Sequence, residues 1–347
     1  MARLPLEVQI LIIECVYRLS QAEAVDYAAL RACALVCRAW TPIAQRLLFR
    51  RVPSANLKTD NLDALPLLLR TLRTSPHLSA AVRSARLAMC HANITADVEL
   101  LNLCPHIQNV WVEDLLEDYS MFPALETRLC TIPLRSVALR AWGEPSFVGL
   151  FLSAWPSIRA LELDGQSILD PRDTLPPISA SGALQVLTLN EDDVPWALAQ
   201  ENNFTALRDL QLLDPAWYED GWMEQLHRSD ILRGIHTLRV EGVFPPQDVL
   251  ERIGQLKSLV FELLPKEDFV LPQSLRHVGY HPWDAEVVVA SHAVAALCAL
   301  ADLKLVTATR FARPKHLVAL EEVCRDRGVE FETYRTPHHF PNPRWDA

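Results

Sequence analysis

Glycine is scarce in this 347-residue chain, ten residues against 24 prolines. That scarcity argues against an architecture built on phosphate-cradling loops, and neither GxGxxG nor a P-loop pattern occurs. Paired cysteines are missing as well. The eight Cys are scattered without a CxxC pair, so neither a zinc site nor a disulfide framework is signalled. No uninterrupted apolar run is long enough for a transmembrane helix. Residues 6–19, LEVQILIIECVYRL, approach a signal-peptide core, but Glu7, Gln9, Glu14 and Arg18 interrupt it and no small-residue cleavage site follows. A cytoplasmic or nuclear protein with no membrane partner is therefore expected. Positive charge is in deficit: 33 Lys+Arg stand against 43 Asp+Glu, a net −10. Residues 1–52 run the other way, with seven Arg against four acidic residues, so the rest of the chain is strongly acidic. An acidic body disfavours nucleic acid as the main partner, because phosphate binding needs a basic face.

Catalytic signatures are absent too. No HExxH, GxSxG or kinase-type motif is present. Cys33 and Cys37, or His277 and His281, lie four apart, but neither pair comes with the further ligands a tetrahedral site needs. Glu191, Asp192 and Asp193 read as a solvated turn. The expectation is a non-enzyme with no metal and no cofactor.

What is present begins with three short apolar helices. Pro5 suits a first helical turn, since its missing N–H costs nothing there. From Leu6 to Leu19, apolar residues cover nearly the whole helical circumference, the pattern of a helix covered on more than one side. A polar break at 20–26 precedes a second helix, expected over Tyr27–Trp40. Its stripe is Leu30, Cys33, Ala34, Val36, Cys37 and Trp40, with Leu35 on the opposite side. Thr41 is a plausible N-cap and Pro42 a first helical residue for a third helix that carries Ile43, Ala44, Leu47 and Leu48 and runs to about Phe49. Fifty residues bury only a small core, so the surplus apolar surface must face the next domain or a partner.

Leu4-Pro5-Leu6-Glu7-Val8, then Ile12-Ile13, Cys33-Ala34-Leu35-Val36-Cys37-Arg38-Ala39-Trp40 and Ala44-Gln45-Arg46-Leu47-Leu48-Phe49, together resemble an F-box, in the form found in expanded families of mushroom-forming fungi. The resemblance covers residues 3–52. It departs from a minimal F-box in the longer stretch Leu19–Ala29 between the first two helices. It implies a three-helix unit that docks on a Skp-type adaptor and, through it, a cullin, the chain serving as substrate receptor of a ubiquitin ligase. It further implies adaptor contacts at Leu4, Pro5, Val8, Ile12, Leu35, Val36, Cys37 and Trp40. The alternative for several of these, Val36 and Trp40 among them, is that they hold the three helices together.

The remainder repeats itself. The pattern apolar-x-x-apolar-x-apolar returns as VRSARL (82–87), IQNVWV (107–112), LRSVAL (134–139), IRALEL (158–163), LQVLTL (184–189), LRDLQL (207–212), IHTLRV (235–240), LKSLVF (256–261), LRHVGY (275–280) and LADLKL (300–305), with a weaker strand at Val329–Tyr334. Successive starts lie 19 to 28 residues apart, which fits the 20–29 residues of leucine-rich repeats at all but one interval. Apolar residues at the fourth and sixth positions predict a strand with one buried face, and no repeat can bury that face alone. Intervening segments Ala64–Leu72, Phe147–Trp155, Pro246–Ile253, His292–Leu297 and Lys315–Arg327 read as helices. The expected architecture is α/β: a three-helix domain (1–52), a linker with a first outer helix (53–80), a leucine-rich-repeat-like solenoid with a curved parallel sheet of ten or eleven strands (81–336), and a poorly ordered tail (337–347). It is similar to the degenerate repeat domains that follow fungal F-boxes.

The third, fifth and seventh positions of each unit should point away from the core. The seventh-position row contains Glu113, Arg140, Asp164, Asn190, Leu213, Glu241 and Glu262; the fifth contains Trp111, Glu162, Gln211, Arg239 and Lys304. Such a surface suits a basic segment of a target protein, with an ordinary solvated face as the alternative. Two functions are expected from this: a ligase substrate receptor, or a non-catalytic binding scaffold whose F-box does not lead to degradation.

Overall fold

The computed structural model describes residues 5–21, 27–52, 64–87, 94–113, 131–140, 158–163, 184–190, 204–213, 230–242, 244–262, 269–280, 296–309 and 314–334. Leu4, Asp164, the helix expected at Phe147–Trp155 and the tail 337–347 lie outside them. No helix of the described residues is long and apolar enough to cross a membrane. The described residues form two compact units, one reaching to Arg140 and the other starting at Ile158.

The first unit opens with helices α1 (Leu6–Gln21), α2 (Tyr27–Val36) and α3 (Thr41–Leu48). Ile13, Tyr17, Leu30, Ala44 and Leu47 are buried together, and Val16, Cys33, Ala34, Trp40, Ile43 and Leu48 pack around them. The second helix is shorter than the periodicity suggested. It stops at Val36, and residues 38–40 make a turn. Nor is Thr41 an N-cap. Its hydroxyl donates backward to the carbonyl of Ala34 (2.8 Å), one of those α2 leaves without helical partners at its C-terminal end, and to that of Cys37 (3.2 Å), which also accepts the Trp40 and Thr41 amides. The residue therefore closes the α2–α3 turn rather than opening α3.

Strand β1 (Arg51–Val52) follows α3 almost directly and pairs with β2 (Ser84–Leu87). The sheet thus begins one strand earlier than the repeats indicate, and twelve strands occur among the described residues rather than ten or eleven. Two residues are too few for alternation to register in sequence. Helices α4 (Ala64–Thr74) and α5 (Pro76–Ser79) connect β1 to β2. After α6 (Ile94–Leu103), which packs on α4, come β3 (Asn109–Glu113) and β4 (Ser136–Arg140). These four strands are parallel and in chain order. Val110 and Val112, like Val137 and Leu139, are fully buried at the fourth and sixth positions, as the alternation requires. Asn109 stitches neighbouring strands: its amide donates to Ser84 Oγ (3.0 Å) and its carbonyl accepts from Ser136 Oγ (2.5 Å).

The second unit repeats the theme with β5 (Ala160–Leu163), β6 (Val186–Asn190), β7 (Asp209–Leu213), β8 (Thr237–Glu241), β9 (Ser258–Phe261), β10 (His277–Tyr280), β11 (Leu305–Thr309) and β12 (Glu330–Tyr334). All are parallel to their neighbours and follow chain order. A 3-10 turn (Ile231–Gly234), α7 (Gln247–Arg252) and α8 (Pro314–Arg327) form return segments. Residues 296–298 are helical, which keeps the end of the helix expected at 292–297.

One repeat sits in a different register. His277 pairs with Leu305, not with Asp302, so the tenth unit is LKLVTA (303–308) rather than LADLKL (300–305). Both readings satisfy the pattern, because Leu300, Leu303 and Val306 are all buried. Ala308 at the sixth position is too small to advertise the true unit. Lys304 consequently leaves the fifth-position row, and Thr307 takes its place.

Candidate protein-docking site

Helix α1 is apolar nearly all round, and its core takes only one side. Ile13 and Tyr17 point inward. On the opposite face, Val8, Leu11, Ile12 and Cys15 follow one another at i, i+3, i+4 and i+7, and all four are exposed. Leu11 is 58% exposed and Leu6, at the helix start, 53%. The last turn of α2 adds Leu35 at 86% and Val36 at 61% exposure, followed by exposed Cys37. Large apolar side chains this exposed on two helices of one cluster make each a candidate for docking. Pro5, Val8, Ile12, Leu35, Val36 and Cys37 all stand outward.

Trp40 does not. It is half-buried against the helical core, and its indole N–H donates to Gln9 Oε1 at 2.8 Å. That bond ties the α2–α3 turn to α1, so Trp40 fixes how the helices present the apolar face. Leu11 and Cys15 belong to the face although the family pattern does not carry them. Their i, i+3, i+4, i+7 spacing with Val8 and Ile12 sets them on one face, but a pattern apolar nearly all round the helix does not mark that face as the exposed one.

The sheet positions form separate groups. Trp111, Glu113 and Arg140 belong to the first unit, where Glu113 and Arg140 are register partners and Trp111 is half-buried. In the second unit, Glu162 is half-buried and Asn190 ends β6 opposite Leu213. Arg239, Glu241 and Glu262 are brought together. Arg239 pairs with Glu241 (2.8 Å), which also accepts from Gln211 Nε2 (2.9 Å). Glu262 is only 5% exposed, and its Oε2 accepts from the Gly242 amide at 3.1 Å. In this part of the acidic row Arg239 offsets the charge of Glu241, while Glu262 accepts a backbone N–H and keeps its charge. Gly242 has φ of +90°, a left-handed conformation that glycine takes without steric cost and that aims its N–H at the carboxylate.

Beside it, the His277 imidazole bridges two hydroxyls: Nδ1 lies 2.7 Å from Ser258 Oγ and Nε2 3.0 Å from Thr307 Oγ1. Burial lowers the histidine's pKa, and the Glu332 charge partly opposes that. With both ring nitrogens committed to hydroxyls, the arrangement is a cross-strand polar ladder. Gly279 lies between Val260 and Thr307, where a Cβ would come within 2.9 Å of both side chains. The sheet face is filled here. Among the described residues no group of three His, Cys, Asp or Glu is placed to hold a metal.

Comparison with known proteins adds little. No family model matches the chain, and no curated protein matches it. Among solved structures it is similar to one titled as the crystal structure of a TLR13–ssRNA13 complex, at 13% identity and a TM-score of 0.41. The match covers 76% of this chain, which spans 40% of that one.

Proposed function

We propose that this chain is a non-catalytic substrate receptor of a Skp–cullin–F-box ubiquitin ligase, docking a Skp-type adaptor through α1 and α2 and holding a target protein on the repeat sheet. The observation that carries the reading is the exposure of large apolar side chains on both helices, Val8, Leu11 and Ile12 on α1 and Leu35 and Val36 at the end of α2. These side chains gain nothing by facing water, and covering them stabilises a complex by roughly 1.5–3 kcal/mol for each that becomes fully buried. The face lies on the helices whose sequence resembles an F-box, and the core residues Ile13, Leu30 and Leu47 stay within the cluster. The chain acts here by raising effective concentration: adaptor at one end and target on the sheet are held together.

The test is capture of a fungal Skp-type adaptor by the full chain, beside the Leu35→Asp/Val36→Asp double variant, with circular dichroism to establish that both are folded. Capture by the wild type and loss in the variant is the expected result. No capture by a folded wild type overturns the ligase reading and leaves the repeat sheet of a binding scaffold. Capture without loss of any bound target in a reconstituted ubiquitination assay favours a scaffold whose F-box does not lead to degradation.

A further inference from the structure

The second position of the repeats carries a row of basic residues among the described residues. In the second unit it runs Arg159, Gln185, Arg208, His236, Lys257, Arg276 and Lys304, one residue from each of seven consecutive repeats. Backbone bonds fix these residues side by side. The amide of each donates to the carbonyl of the one before: Gln185 to Arg159 (2.8 Å), Arg208 to Gln185 (3.0 Å), His236 to Arg208 (2.7 Å), Lys257 to His236 (2.8 Å), Arg276 to Lys257 (2.9 Å) and Lys304 to Arg276 (2.8 Å). Successive backbone positions are therefore about 4.8 Å apart, and the row is about 29 Å long along the backbone. Lys304 joins it only because of the register of β11.

All of the row is exposed except His236, which is half-buried and bonded to Gln255 Oε1. Arg208 donates to the carbonyl of Leu207 (2.7 Å), a neutral partner that leaves its charge in place. No carboxylate of the described residues pairs with Arg159, Lys257, Arg276 or Lys304. Elsewhere the sheet behaves differently: Glu241 and Arg239 neutralise one another. Like charges held this close along the backbone repel one another weakly in water. Lys257, Arg276 and Lys304 stand side by side at the starts of three adjacent strands, and a bound anionic chain would relieve their repulsion.

We propose that this row, which runs along the N-terminal edge of strands β5 to β11, binds an extended acidic segment of a partner polypeptide laid along that edge. The proposal rests on the reading of the sheet as the target-holding part and names the chemistry of the target. A peptide is favoured over single-stranded nucleic acid because the row contains no aromatic platform on which bases would stack. The chain's net charge of −10 also repels a long polyanion, while a short acidic segment sees mainly the row.

The experiment is fluorescence anisotropy of labelled deca-glutamate titrated with the full chain, with labelled deca-lysine and deca-thymidine as comparisons. The Lys257→Glu/Arg276→Glu/Lys304→Glu variant is measured alongside Arg70→Glu, an exposed charge on α4. Expected are salt-sensitive binding of deca-glutamate, at least a tenfold loss in the triple variant, and wild-type affinity in Arg70→Glu. A melting curve verifies that the variants are folded. No binding by the folded wild type, equal binding by wild type and triple variant, or tighter binding of deca-thymidine each overturns the proposal. Adaptor capture reads α1 and α2 alone, so failure there and failure here are distinguishable.

Discussion

Leu30 and Leu35 sit on the same short helix, five residues apart, and the structure gives them opposite work. Leu30 has 0% exposure, while Leu35 has 86%. Leu30→Ala removes a side chain from the small cluster of Ile13, Tyr17, Ala44 and Leu47 and leaves a cavity, a cost of about 2–5 kcal/mol. Leu35→Ala removes a side chain that touches little, so stability should stay within about 0.5 kcal/mol. Adaptor affinity should rank the two the other way among folded proteins. Covering Leu35 is worth about 2 kcal/mol and covering Val36, at 61% exposure, about 1 kcal/mol. Losing both corresponds to about 3 kcal/mol, a roughly hundredfold weaker dissociation constant before any cost of burying the new carboxylates. Urea unfolding followed by circular dichroism gives the first ranking, and calorimetric titration with the adaptor gives the second. Equal destabilisation by Leu30→Ala and Leu35→Ala would refute the placement of α2. An adaptor that binds the Leu35→Asp/Val36→Asp variant as tightly as wild type would refute the docking face.

Three further outcomes test the structure elsewhere. His277 is held below its ordinary pKa of 6.5 by burial, so it stabilises the fold only while neutral. Its contribution should be complete above pH 6.5 and decline as the pH falls through the lowered value, seen as a shift in urea midpoint between pH 7.5 and 5 that His277→Asn reduces. Burial pushes the thiols of Cys104 and Cys324 up to about 12 and about 11, whereas Cys15, Cys37 and Cys298 are exposed. Iodoacetamide on the native protein should therefore label the exposed three and spare Cys104 and Cys324 until denaturant is added, as peptide mass mapping would show. Gly279→Ala should destabilise by about 1–2 kcal/mol, since its Cβ meets Val260 and Thr307 at 2.9 Å, and Val260→Ala in the same chain should recover part of the loss in a double-mutant cycle.

The strands were legible because alternation is local. Val110 and Val112, or Leu238 and Val240, announce one buried face without reference to anything distant, and the period of the units announces stacking. The three helical spans at the start were legible for the same reason. Other features depend on what each residue meets in space. LADLKL and LKLVTA fit the pattern equally well, and only pairing with His277 selects the second. The circumference of α1 is apolar nearly all round, so periodicity could not say which side Ile13 would bury and which side Val8, Leu11 and Ile12 would leave in water. Thr41 reads locally as a cap, but the carbonyls of Ala34 and Cys37 draw its hydroxyl backward. Glu241 and Glu262 read as free charge until folding sets them against Arg239 and the Gly242 amide. By itself the sequence determined the elements and their period, because each rests on neighbours along the chain. Tertiary structure decided register, the outward face of α1 and α2, and the alignment of Arg276 with Lys257 and Lys304, because these depend on hydrogen bonds and packing between residues far apart in sequence.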